Sequence, residues 1–130
     1  LAEAYLLNKQ NQQALSMHSK LSEHFPGYLP VTILYTRTLN ASGQAQKSIN
    51  ILKHQLQTSD DPIIHKTLAQ AYFKNGQISA ALESTGNQYK IEGYYELALQ
   101  QYEMALQQTN LSITTKQRLQ TKKESLSNKK

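Results

Sequence analysis

The sequence predicts an all-α protein in which antiparallel helix pairs stack as a solenoid and a last helix caps the stack. Three observations carry that prediction. Tyr72, Gly76 and Ala81 recur as Tyr89, Gly93 and Ala98, each pair 17 residues apart, which is the length of one short helix and its turn. Internal repetition of this kind marks a stacked architecture. Small residues (Ala14, Ser48, Ala81, Gly86, Ala98) recur inside helical stretches, where they let neighbouring helix axes approach closely. Apolar side chains elsewhere fall at helical spacing, and no single hairpin can bury such a stripe alone, so the pairs must pile up.

Taken in order, a first helix ends near Asn8, truncated at its start. A second runs from about Gln12 to His24, with Ala14, His18, Leu21 and Phe25 on one face. Pro26-Gly27 breaks the chain. A third spans about Leu29 to Ala41, with Val31, Leu34, Tyr35 and Leu39 inward. Its β-branched content is unfavourable to isolated helix, so packing must hold it. Ser42-Gly43 closes it, and a fourth runs from about Ala45 to Gln57, carrying Ile49, Leu52 and Leu56. Asp61-Pro62 is the clearest start signal, with Asp61 placed to accept from orphan N–H groups and Pro62 at the first helical position. The fifth helix, Pro62 to Lys74, buries Ile64, Leu68, Ala71 and Tyr72 and stops at Asn75-Gly76. The sixth, about Ile78 to Ile91, sets Ala81, Leu82, Thr85, Gly86 and Tyr89 on one side. Gly86 in its interior costs about 1 kcal/mol relative to alanine, which calls for a close crossing to compensate. The seventh runs from Tyr94 to Gln108, with Ala98, Tyr102, Ala105 and Leu106 inward. Asn110 to Ser112 caps a last helix that ends near Leu126 and has only Ile113, Leu119 and Leu126 as its stripe. Ser127 to Lys130 reads as frayed.

The chain has 130 residues and a net charge of +5. From Lys116 onward six cations face Glu124 alone, which accounts for that whole surplus and leaves the repeat body balanced. Two parts follow: residues 1–110 are helical repeats, and residues 111–130 are a C-terminal helix with a basic tail. The tail reads as a solvated capping helix rather than a nucleic-acid or lipid site. No cysteine is present, which excludes disulfides, thiolate zinc sites and cysteine nucleophiles. No apolar run approaches the length of a membrane span. Leu1 stands where a repeat is already under way, because Tyr5 calls for a longer helix behind it; the chain reads as a segment of a larger protein.

The residues hold no catalytic constellation. His18, His24, His54 and His65 form neither HxxxH nor HExxH. His18 reads as a core histidine, and His54 and His65 as surface residues. Gly76 and Gly93 are helix stops, not phosphate cradles. Tyr72, Tyr89, Tyr95 and Tyr102 sit beside small residues at helical spacing, which suits core packing better than a stacking platform for bases.

The LAxAY runs at Leu1–Tyr5 and Leu68–Tyr72, each followed nine residues later by alanine (Ala14, Ala81), resemble the tetratricopeptide repeat, a 34-residue helical pair. The first unit supplies Leu1, Ala2, Tyr5, Ala14 and Pro26, departing at His18 and Leu21. The second is degenerate, with Tyr35, Thr36, Leu39, Gly43, Ser48 and Leu52. The third supplies Leu68, Ala69, Tyr72, Gly76 and Ala81, and the fourth Gly86, Tyr89, Gly93, Ala98, Tyr102 and Ala105. The last two overlap, because the helix from Ile78 to Ile91 fits both roles. The resemblance implies a right-handed solenoid whose first helices line a concave groove. Carried onto this sequence, the groove positions are Glu3, Ile33, Arg37, Asn40, Lys66, Gln70, Phe73, Lys74, Asn87 and Lys90. Phe73 lies about 100° round the helix from core-facing Tyr72. An exposed aromatic among Arg37, Lys66, Lys74 and Lys90 suits an extended peptide or an acidic chain end.

The run LAxAYxxxG, ALExxGNQYxxxG, AxxQYxxAL and then Gln117-Arg118 is similar to the C-terminal tetratricopeptide domain of periplasmic HExxH zinc metalloproteases of the BepA (YfgC) type, which enhance outer-membrane assembly. That resemblance implies a peptidase domain upstream, carrying the zinc and its ligands, and no cofactor within this segment. It implies a periplasmic location, and as partners outer-membrane β-barrel substrates, their assembly complex or the parent's own catalytic domain. The expected function is docking of a protein partner. The alternatives are an intramolecular regulator that limits access to the parent's catalytic site, and a repeat scaffold unrelated to a protease.

Overall fold

The computed structural model describes residues 2–127, without the side chains of Ala2, Ala4, Tyr5 and Leu6. The expectations placed on Leu1, on the side chains of Ala2 and Tyr5, and on Lys129 and Lys130 lie outside the described residues. Among those described, seven helices form and no strand: α1 (Ala2–His24), α2 (Leu29–Ala41), α3 (Ala45–Gln55), α4 (Pro62–Lys74), α5 (Ile78–Ile91), α6 (Tyr95–Leu106) and α7 (Ile113–Ser127). Each helix packs on the next, α2 also packs on α4, and α5 packs on both α4 and α6 most extensively. This is a solenoid-like helical stack.

The turns explain the register. Gly43, Gly76 and Gly93 all take a positive φ near +80°, the left-handed conformation that ends a helix. At each, the residue after the glycine donates its N–H back five positions: Gln44 to Leu39, Gln77 to Tyr72 and Tyr94 to Tyr89, at 2.9, 2.9 and 2.8 Å. The equivalent position four residues after Tyr5 is Lys9. No glycine or proline interrupts Asn8 to Gln12, so the expected turn is missing and the first two expected helices are one, α1. At the other strong start signal, Asp61 Oδ1 accepts the Ile63 N–H at 3.0 Å with Pro62 at the first helical position, as expected.

Two cores follow from the stacking. Ile33, Ile49, Leu52, Ile64, Leu68 and Ala71 form the first, between α2, α3 and α4. Ala98, Tyr102, Ala105, Leu119 and Leu126 form the second, between α6 and α7, with Leu82 and Tyr89 of α5 against it. Gly86 belongs to this second core. A Cβ placed there would stand 2.5 Å from the Tyr102 ring, so the glycine exists to admit the aromatic ring and the expected close crossing is observed. Tyr102 is fully buried, and its hydroxyl donates to Asn87 Oδ1 at 2.7 Å.

Several side chains lie differently from the expectation. Leu34, Phe25 and Ile113 are exposed; Phe25 lies just past the end of α1, Ile113 is the first residue of α7, and Leu34 lies on α2 between residues that turn inward. His65 is buried rather than on the surface, its Nε2 2.9 Å from Asp60 Oδ1. His18 is half-buried and bonds Thr38 Oγ1 at 2.9 Å, tying α1 to α2.

Candidate partner-binding grooves

The ten groove positions do not form one surface. Gln70, Phe73 and Lys74 come together on α4, where with Ala69 and with Ile78, Ala81, Leu82 and Thr85 of α5 they line a largely apolar groove of about 360 Å³. Phe73 is 66% exposed beside it. Lys66 is exposed on the same helix, two turns before Phe73 and Lys74, and Arg37 is exposed on α2. Glu3 is exposed on α1, away from this groove. Ile33 and Asn40 are not groove residues. Ile33 is part of the first core, and Asn40 is buried with its amide unpaired, because both face the α2 neighbours rather than the open side.

Asn87 and Lys90 line a second, polar cleft with Asp60, His65, Ile91 and Lys122. Gln70 and Phe73 have no part in it. On α5, Asn87 stands about 200° round the axis from Thr85, so the two grooves use opposite faces of one helix. The polar cleft continues past Glu83 and Arg118 towards the α6–α7 turn.

Glu83 is the residue that sequence reasoning missed. It is nearly buried, and Arg118 of α7 grips it with Nε and a terminal nitrogen at 2.7 and 2.9 Å. Lys122 Nζ adds a third contact at 2.7 Å and reaches Asn87 Oδ1 at 3.1 Å. Burial alone would push the Glu83 carboxyl up; the hydrogen bonds from Arg118 and Lys122 more than reverse this and hold it below the usual range. The same contact raises the Arg118 guanidinium. Burial, and then the Glu83 charge, raise the Tyr72 and Tyr102 hydroxyls. The basic terminal helix is thus anchored by an ion-pair network, not merely solvated. The signal in the sequence was a lone acid in ALExxGNQY with Arg118 and Lys122 four apart on α7, on one helical face.

Among the described residues, no three His, Asp or Glu side chains gather where they could hold a metal ion, and no helix is long and apolar enough to cross a membrane. No protein-family model and no curated protein sequence matches this chain. The fold and its surfaces therefore define the class: a stack of packed helices with an apolar groove between α4 and α5 and a charged cleft on the far side of α5.

Proposed function

We propose that this chain is the partner-docking tetratricopeptide-type module of a larger protein, and that the parent is a periplasmic zinc metalloprotease acting in outer-membrane protein assembly and quality control. The observation that supports docking is Phe73, exposed beside an apolar groove and followed and preceded on its helix by Lys74 and Lys66. An aromatic left in water beside an apolar trough becomes favourable when a partner covers both. The flanking ammonium groups select an occupant by charge: an extended polypeptide presenting an apolar side chain with acidic residues to either side. In this reading the substrate is an unfolded outer-membrane β-barrel chain, the zinc lies in the parent's catalytic domain, and the module brings substrate to it.

The test is the triple variant Lys66→Ala, Phe73→Ala, Lys74→Ala, made in the full-length parent. Binding of a labelled unfolded β-barrel polypeptide is measured beside basal proteolysis of a small peptide. Lost binding with unchanged basal cleavage is the expected outcome. Undiminished binding overturns the groove as the docking site, and raised basal cleavage transfers the surface to an autoregulatory contact with the catalytic domain.

A further inference from the structure

The polar cleft on the far side of α5 has a hydrogen-bonding balance that the docking groove lacks. Most of its acceptors are already occupied; Asp60 Oδ2, on an exposed side chain, and His65 Nδ1, buried without a partner among the described residues, are the exceptions. Glu83 receives Arg118 twice and Lys122 once. Asn87 Oδ1 receives the Tyr102 hydroxyl and the Lys122 ammonium. Because an ammonium only donates, that second contact fixes which way the Asn87 amide faces. Its two N–H hydrogens are left without an acceptor among the described residues. Asp60 Oδ1 is held by His65 Nε2. The donors, by contrast, are in excess. Lys90 is half-buried at the cleft and has no hydrogen bond or ion pair among the described residues. Four cations, Lys53, Lys90, Arg118 and Lys122, border the cleft against two carboxylates, Asp60 and Glu83. The compartment beside Lys90 holds about 240 Å³, room for one small charged group and its immediate attachment.

We propose that this compartment is an oxyanion-binding site, in which the Asn87 amide and the Lys90 and Lys122 ammonium groups receive a carboxylate or phosphate. Asn87, Lys90 and Lys122 line this one compartment from α5 and α7; two of them bring charged donors, and the Asn87 amide is held in place by its own acceptor contacts. Asp60 opposes the anion from the cleft's edge, but one of its oxygens is engaged by His65 and most of its side chain is in water, where its charge is screened. The site is independent of the Phe73 groove, so either can fail without the other.

The experiment is a titration of the whole chain followed by amide and side-chain nitrogen NMR at low ionic strength. The probes are inorganic phosphate, a short peptide ending in a free carboxylate, and the same peptide with an amidated end. Saturable shifts of the Asn87 side-chain amide are expected. Lys90→Ala should weaken binding about tenfold or more, the loss of one charge-assisted hydrogen bond, while Lys90→Arg retains most of it. Lys9→Ala, which removes the same charge from exposed α1, controls for net charge and leaves binding unchanged. Binding of phosphate supports a site for free anions; binding of the free-ended but not the amidated peptide supports a polypeptide terminus. No saturable shift at Asn87 with any probe, or shifts unaltered in Lys90→Ala, overturns the proposal.

Discussion

The two faces of α5 make the most informative comparison in this molecule. One face, with Ala81, Leu82 and Thr85, borders an apolar groove shared with α4. The other, with Glu83 and Asn87, meets the basic residues of α7. The first is open and nearly uncharged; the second is held shut at its centre by ion pairs. A single helix of 14 residues thus serves as the second helix of one pair and the first helix of the next. The overlap read from its sequence has a physical meaning, because each pairing role demands its own face.

The comparison breaks most sharply at Tyr102. Tyr102→Ala should destabilise the protein by about 3–5 kcal/mol, since the ring is fully buried and leaves a cavity. Denaturant melts with unchanged m-values would measure it. Gly86→Ala should cost about 1–3 kcal/mol despite alanine's better helix propensity, because the added methyl meets that ring. In a Tyr102→Leu background the penalty should shrink, and additivity of the two changes would refute the contact as its cause.

Glu83→Gln should cost about 1–3 kcal/mol by removing the negative charge and one of the two acceptor oxygens that hold Arg118 and Lys122, and should lower the helicity of α7 before that of α4. The wild-type chain carries a pH signature of the same pair. The Glu83 carboxyl is held below its ordinary value of 4.5, so its contribution is fully present above that value and is lost as pH falls through the lower folded value. Glu83→Gln should therefore flatten the acid limb of the stability profile, and an unchanged limb would show that other carboxylates set it. On the apolar face the effect is smallest. Phe73→Ala should change stability by no more than about 0.5 kcal/mol, since the ring is exposed, while abolishing partner binding. A large loss of stability there would mean that the ring is structural.

The same two faces show what the sequence made legible. The apolar face was readable because packing leaves a periodic trace: Tyr72 and Phe73 are adjacent, so one faces the core and the other water, and the structure bears this out. Gly86 was readable as a close approach because a mid-helix glycine is otherwise unfavourable. The charged face was hidden. Glu83 and Arg118 are 35 residues apart, and nothing local distinguishes a buried acid from a solvated one. His65 was misplaced for the same reason: its burial depends on how α4 meets its neighbours. The fused α1 had a local cause that was legible in principle, since Lys9 stands where the other units have glycine. Ile33 and Asn40 failed because the groove positions assume a regular second unit, and that unit is the degenerate one.

The sharing of α5 also bears on how such a chain can lengthen. A stack assembled in whole pairs keeps the same side towards its ligand at every addition. Here one rod does duty twice, and the marks of the repeat return after a single rod, 17 residues on. Adding one such rod instead of two would exchange the sides of the next pair, so the parity of an insertion, not its composition, would set which flank of the pile stays open.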